Sequence, residues 1–484
     1  MELRSSGRRM TLGMKLPQVI QGGMGVAVSS WRLANAVSQA GQLGVVSGTA
    51  LDTVLARRLQ LGDFEGDLAE AMSHFPDQAM ADRVWDRYFI SGGKASDKPF
   101  RSKPIWTIEP SRALVELTIV GSFVEVWLAK RGHSNPVGIN LLEKIQLPTL
   151  ATLYGAMLAG VDVVLMGAGI PRHIPPILDY LVAGKGCSLP IDVSGGEPVQ
   201  MHFEPGEYLG GCPSRPLFFA IVASASLAQV MAKKCSPPAD GFIVEGWKAG
   251  GHNAPPRGAM QLSAAGEPIY GERDEVDFAK FRELGLPFWL AGSCGTAEGL
   301  QAAQELGAQG IQVGTAFAFC EESGISPRIK SQVIRASIEG SADVFTDPKA
   351  SPTGFPFKVL RMMGTASEPA IIENRNRICD LGYLREAYQL PSGGVGFRCA
   401  AEPVEDYIRK GGDAANCEGR KCVCNGLLGT IGLAQSRKGI VEPSLVTAGD
   451  DVKGISRFLR PGQLSYSVAD VLRVLLGAEV AVVG

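Results

Sequence analysis

One histidine in this chain stands where it could move a proton. His252 closes the segment Glu245-Gly246-Trp247-Lys248-Ala249-Gly250-Gly251-His252, directly behind the apolar run Gly241–Glu245. Gly250 and Gly251 carry no side chain to obstruct an approaching ligand. An imidazole titrates near physiological pH, which suits a general base. The chain has five histidines. His74 falls in a mixed-charge stretch, His133 beside Gly132 at a helix end, His173 at a helix start and His202 in a Gly/Pro-rich loop. The plain alternative for His252 is a solvated surface histidine. The loop after it, with Asn253, Pro255, Pro256 and Arg257, is long and proline-stiffened.

Two further segments have the character of anion sites. Ala291-Gly292-Ser293 and Gly314-Thr315 each end a short apolar run, and Ser293-Cys294-Gly295-Thr296 leads straight into a helical pattern. Loop amides at a helix start converge on an anion, and the hydroxyls of Ser293 and Thr315 add donors. Ordinary capping explains one such turn; two in succession point to a phosphate. Gln21-Gly22-Gly23-Met24-Gly25 would let backbone approach a flat ligand. Asn140, in Gly138-Ile139-Asn140, offers an amide donor and acceptor that match a pyrimidine-like ring edge. Together these residues suggest a planar, phosphate-bearing cofactor.

Eight short apolar runs would carry these turns: Pro17–Gln21, Leu43–Ser47, Pro136–Leu141, Val161–Met166, Leu217–Val222, Gly241–Glu245, Pro287–Ala291 and Gly310–Val313. Runs apolar on both faces are what buried parallel strands look like. Most are followed by helical patterns, such as the hydroxyl-capped Ser29-Ser30-Trp31 segment and the one opened by Thr296 and closed near Gly307. The spacing predicts an α/β fold, a (β/α)8 TIM barrel. The alternative, an open doubly wound sheet, would use fewer strands and an early glycine fingerprint. The expected organisation is a barrel over 1–322, with insertions at about 51–103 and 187–215, and an extension over 323–484 packed on it. Long insertions are usually functional or mobile, so either could cover the mouth; the second reads as a long loop or a β-hairpin. The extension is read as largely irregular and helical, with Pro327–Glu339 its clearest helix.

The chain has 484 residues, of which 45% are hydrophobic and 20% charged, so it can bury a substantial core. A net charge of −2 leaves no electrostatic footprint for nucleic acid. Its 60 glycines exceed the roughly 34 expected at average usage, in keeping with many tight turns. The basic start MELRSSGRRMTLGMKLP is not followed by a signal-peptide core, and no run reaches the ~18 apolar residues of a membrane span. A reduced, cytoplasmic enzyme is the expectation. Cys379, Cys399, Cys422 and Cys424 could supply four thiolates for zinc or iron. Paired CxxC spacing is absent, so they read as reduced cysteines with no metal.

Over about residues 16–322 the chain resembles the nitronate monooxygenase (2-nitropropane dioxygenase) family of FMN-dependent barrels. Flavin-dependent enoyl-ACP reductases and trans-acting enoyl reductases of polyketide and polyunsaturated fatty acid synthesis belong to the same superfamily. The segments carrying the resemblance are PQVIQGGMGVAVSSWRLANAVSQAGQLGVVSG, VGINLL, VEGWKAGGHNAPPRG and AGSCGTAEGLQAAQELGAQGIQVGTAF. The resemblance implies FMN, its phosphate at Gly292, Ser293, Gly314 and Thr315 and its ring at Gly22, Gly23, Met24 and Asn140. Gly250, Gly251 and Ala291 would border it, with His252 as base or electrostatic partner. Lys248 departs from the acidic residue common there; it would favour an anionic substrate or be a solvated loop charge. The activity implied is oxidation of alkyl nitronates by O2 to a carbonyl compound and nitrite. Alternatives are NAD(P)H-dependent reduction of an enoyl thioester, and a flavin-binding accessory protein of a biosynthetic complex without catalysis. Neither a nucleic-acid nor a membrane partner is expected.

Overall fold

The computed structural model of the protein describes residues 16–477; the basic start of the chain, up to residue 15, lies outside them. Eight parallel strands form one sheet: β1 (Val19–Gln21), β2 (Gly44–Ser47), β3 (Val137–Leu142), β4 (Val163–Gly167), β5 (Leu217–Val222), β6 (Gly241–Glu245), β7 (Phe288–Ala291) and β8 (Gly310–Val313). They neighbour one another in the order β1-β8-β7-β6-β5-β4-β3-β2. The sheet then closes on itself. The Gln21 amide donates to the Leu43 carbonyl at 2.9 Å, and the Leu43 amide to the Val19 carbonyl at 3.2 Å. All eight runs read from the sequence are strands of this barrel.

Closure requires side chains to fill the interior. Ile20, Val45, Leu165, Phe219, Ile243 and Trp289 do so as a cluster separate from the outer core. Trp289 is fully buried, stacks on Phe219 at 5.0 Å between ring centroids and donates its indole N–H to the Pro17 carbonyl at 2.8 Å. The long helix Arg112–Lys130 is apolar nearly all round and buried along its length, as a helix covered on several sides must be. Helices Trp31–Gln39, Leu51–Leu61 and Thr149–Leu158 cover it. Gly155 permits the last contact: a Cβ there would lie 2.2 Å from the Ile119 carbonyl oxygen.

The first insertion is built of helices, Leu51–Leu61, Asp67–Ser73 and Gln78–Tyr88. The second contains a hairpin, Cys187–Ile191 against Val199–Phe203, with Leu189 opposite Met201. It follows helix Ile174–Val182 and precedes β5, and just beyond its first strand Val193–Ser194 pairs with Ala387–Tyr388 of the C-terminal segment. The segment after residue 322 is more regular than its sequence suggested. Helix Pro327–Ile338 is followed by hairpins Val344–Asp347/Phe357–Leu360 and Glu386–Gln389/Val395–Arg398. Helices Val423–Thr430 and Val468–Leu476 flank a 3-10 stretch, Asp450–Phe458. Local pattern was weak here because these strands are only four residues long and pair mainly with each other.

A buried polar cluster ties this segment to the first insertion. Asp52 forms an ion pair with Lys103 at 2.9 Å, accepts from the Trp106 indole at 3.1 Å and accepts from the Tyr383 hydroxyl. Burial alone would raise the Asp52 pKa; Lys103 and the Tyr383 hydroxyl outweigh it and hold the carboxyl below its usual value. No helix among the described residues is long and apolar enough to cross a membrane.

Candidate active site

The carboxyl ends of the strands open onto a cavity of about 530 Å³. Gly22, Gly23, Met24, Asn140, Gly250, Gly251, His252, Ala291, Gly292, Ser293, Gly314 and Thr315, the residues picked from the sequence, all line it. Strand register explains why. Ser47 of β2 pairs with Asn140 of β3, while Ala291 of β7 pairs with both Glu245 of β6 and Gln312 of β8. Each strand thus ends at a similar height, and the turns that follow face one another across the mouth.

On one side the β1 turn rests against β3. A Cβ on Gly23 would come 2.1 Å from the Asn140 Cβ, so only glycine fits, and the Asn140 amide donates to the Gly23 carbonyl at 3.4 Å. Ser29 shapes the turn, donating from Oγ to the Gly22 carbonyl at 2.9 Å and accepting from the Met24 amide at 2.9 Å. Gln312 faces the same space from β8. Its Oε1 is buried without a hydrogen-bond partner among the described residues. Such an oxygen costs about 1–3 kcal/mol unless a donor meets it.

His252 is held from outside the barrel. Its Nε2 lies 2.7 Å from Ser351 Oγ, and its ring meets Phe357 edge to face at 4.8 Å. The loop around it pairs with strand Phe357–Leu360, Lys358 donating to the Gly251 carbonyl and Asn253 to the Pro356 carbonyl, both at 2.9 Å. A Cβ on Gly250 would meet the Ala448 carbonyl carbon and the Gly449 nitrogen at 2.9 Å, so that glycine serves close backbone packing. Burial pushes the His252 pKa down to about 4. The imidazole is therefore neutral at pH 7, and with Nε2 engaged by Ser351 its Nδ1 is the nitrogen left to face a ligand.

Glu245 is the residue the sequence reading passed over. It ends β6, lines the cavity and has no ion-pair or side-chain hydrogen-bond partner among the described residues. Burial pushes its pKa up to about 7, the range that suits an acid–base group. A carboxylate closing an otherwise apolar strand was the available signal.

The β7 and β8 turns lie side by side. Ser293 has a left-handed backbone, φ +60°, unusual for a residue with a side chain. Thr296 caps helix Ala297–Glu305, its Oγ1 accepting from the Gly299 amide at 2.9 Å. Against these turns stands Asp451, delivered by the 3-10 stretch. Neither Asp451 nor Ser351 could be found from local sequence, since each reaches the site from a segment without a motif.

One expectation needs correction, and one alternative is favoured: Lys248 fits a solvated loop charge. Neither insertion contributes to the cavity wall. The cover comes from the C-terminal segment, through Phe355, Tyr383, Leu384, Val423, Leu427 and Asp451 among others. The helices of the first insertion pack instead on the long helix Arg112–Lys130, and Val193–Ser194 of the second pairs with strand Glu386–Gln389. Lys248 is exposed, sits 5.4 Å from the Trp247 ring centroid and is not in the wall. Among the described residues, the cationic side chain of the wall is Arg257.

Cys379, Cys399, Cys422 and Cys424 come together around a second, small cavity of about 10 Å³, and the Cys379 and Cys399 thiols hydrogen-bond. Spacing had not shown this convergence. Among the described residues no three His, Cys, Asp or Glu side chains are grouped to hold a metal ion. We propose that the four remain metal-free thiols. Elemental analysis of protein purified without chelator is expected to find zinc and iron far below one per chain. Near-stoichiometric metal, lost in a Cys422→Ser/Cys424→Ser variant, would overturn this.

In comparison with known proteins, a family model described as Nitronate monooxygenase matches residues 215–350. A probable nitronate monooxygenase of Bacillus subtilis is 37% identical over 166 residues, 34% of this chain and 42% of that protein. A Mycobacterium tuberculosis (3aS,4S,5R,7aS)-5-hydroxy-7a-methyl-1-oxo-octahydro-1H-indene-4-carboxyl-CoA dehydrogenase is 27% identical over 141 residues, 29% of this chain and 35% of that protein. The chain thus spans less than half the length of these curated relatives. Among solved structures, a nitroalkane oxidase from Streptomyces ansochromogenes aligns over 96% of this chain and 95% of its own, with 15% identity and a TM-score of 0.47.

Proposed function

We propose that this chain, which matches a nitronate monooxygenase family model over residues 215–350, is a flavin-dependent oxidoreductase that uses FMN and O2 to convert alkyl nitronates to a carbonyl compound and nitrite. The observation that carries this reading is convergence. Turns from β1, β6, β7 and β8 and an amide on β3, chosen for what they could bind, line one cavity with His252 among them.

The residues present suit a flavin ring. Gly22 and Gly23 leave a flat backbone surface, and the unpaired buried oxygen of Gln312 would be met by a ring N–H. Asn140 and Met24 would border the ring; Gly292, Ser293, Gly314 and Thr315 would take the phosphate end. When bound, the flavin would supply the two-electron acceptor. The protein's own part is to hold the substrate and handle its proton. A neutral nitroalkane must lose an α-proton, and Nδ1 of His252 would take it while Nε2–H donates to Ser351. Trp247 and Tyr270, stacked at 5.1 Å at the rim, would help exclude water. A nitronate arrives already deprotonated and needs only to be positioned.

A second reading, NAD(P)H-dependent reduction of an acyl thioester, draws on two observations. The wall supplied by the C-terminal segment includes apolar Phe355, Leu384, Val423 and Leu427, which suit an acyl chain. One relative is named for a CoA thioester substrate. Anaerobic mixing separates the readings: bleaching by a nitronate and not by NAD(P)H is the expected result, and the reverse favours the thioester. Denatured holoprotein is expected to release FMN. Release of an adenine-containing flavin, or no flavin binding after reconstitution, contradicts the cofactor assignment.

A further inference from the structure

The end of the cavity bounded by the β7 and β8 turns holds a carboxyl group of its own. Asp451 reaches it from the 3-10 stretch Asp450–Phe458, more than a hundred residues beyond β8. Its position is pinned by close neighbours. A Cβ built on Gly295 would lie 3.4 Å from Asp451 Oδ2, and one on Gly449 would lie 2.9 Å from Oδ1 and 3.0 Å from Thr315 Oγ1. Thr315 itself is engaged, accepting from the Gly449 amide at 3.0 Å. Asp451 Oδ1 is buried and has no hydrogen-bond partner among the described residues. A carboxylate thus shares the space between Gly295 and Thr315 that the anion turns enclose.

The surrounding charges do not cancel it. Arg457 is near, but its Nη2 donates to the Gly295 carbonyl at 2.9 Å. Asp450, the adjacent acid, is paired with Lys358 at 2.6 Å. The other titratable groups that face Asp451 are the Cys294 thiol on the β7 turn and the Tyr466 phenol. Burial raises the Asp451 pKa, partly offset by Thr315 and Arg457, so the group takes up a proton more readily than an exposed aspartate.

Resting on the flavin reading above, we propose that Asp451 is a specificity-determining residue that opposes the phosphate of FMN, so that the cofactor binds with uptake of a proton or displacement of this side chain. Two like charges in one site cannot both stay ionised without cost. Phosphate-free riboflavin makes no such demand. The chain would therefore hold FMN less tightly as pH rises, and the C-terminal segment would set cofactor retention through Asp451.

The test measures Kd by flavin fluorescence quenching, for FMN and riboflavin, at pH 6 to 8.5 in wild-type protein and in Asp451→Asn. The isosteric amide is expected to tighten FMN by about tenfold or more at pH 8 and to change riboflavin less than twofold. In the wild type the FMN-to-riboflavin Kd ratio should rise with pH, and Asp451→Asn should flatten that rise; this arm needs no variant to show its first half. Equal changes for both flavins, or a ratio independent of pH and of Asp451, would overturn the proposal while leaving the flavin reading intact. Failure of both proteins to bind either flavin would remove the flavin reading, and this proposal with it.

Discussion

Replacing His252 with alanine is expected to lower turnover of a neutral nitroalkane by ~10²–10⁴-fold, the usual worth of general acid–base catalysis, and to leave flavin binding in place. A preformed nitronate needs no deprotonation, so its oxidation should suffer far less. The pH dependence adds a second reading of the same role. With its pKa down at about 4, the imidazole stays the free base over the whole neutral range. The acid limb of kcat/KM should then lie near 4, well below that of an ordinary histidine. Glu245 is the rival. With its pKa up at about 7, a Glu245 base would put the acid limb near 7, and Glu245→Gln would take the large loss instead. Small, equal losses on both substrates in His252→Ala would show that His252 does not accept the proton.

Lys103→Met is expected to destabilise the fold by about 3–5 kcal/mol, the cost of leaving one member of a buried ion pair alone. Both side chains of the pair are almost fully buried, 5% and 1% exposed. Asp52 would keep the Trp106 indole and Tyr383 hydroxyl but lose the charge that offsets its desolvation. A double variant, Asp52→Asn/Lys103→Met, removes the stranded charge and should recover part of the loss. The sign with pH follows from the lowered Asp52 pKa. Between the unfolded value, 3.8, and higher pH the pair's contribution is present; it is lost as pH falls through the lower folded value. Denaturant unfolding measures both variants. A cost under about 1 kcal/mol for Lys103→Met would place the pair among those that contribute little. Because Tyr383 also lines the cavity, cavity cover and barrel stability are linked through this cluster.

The barrel was legible because its signals are local. A strand buried on both faces must be apolar along its length, and a turn that lets backbone approach a ligand must be glycine, so PFWLAGS and GIQVGT declare both their element and its end. Once eight such runs are strands of a closed barrel, shared register brings their ends together, which is why Gly22, Asn140, His252, Gly292 and Thr315 meet although they span nearly three hundred residues. What only the tertiary structure decided is what faces those turns. His252 meets Ser351 across 99 residues, Thr315 meets Gly449 across 134 and Asp52 meets Tyr383 across 331. Such partners carry no periodicity, and a serine or aspartate in an irregular stretch looks the same whether it is solvated or buried. The depressed pKa of His252 and the raised pKa values of Glu245 and Asp451 all follow from desolvation. Desolvation is a property of the packed segments and not of any residue's neighbours in sequence.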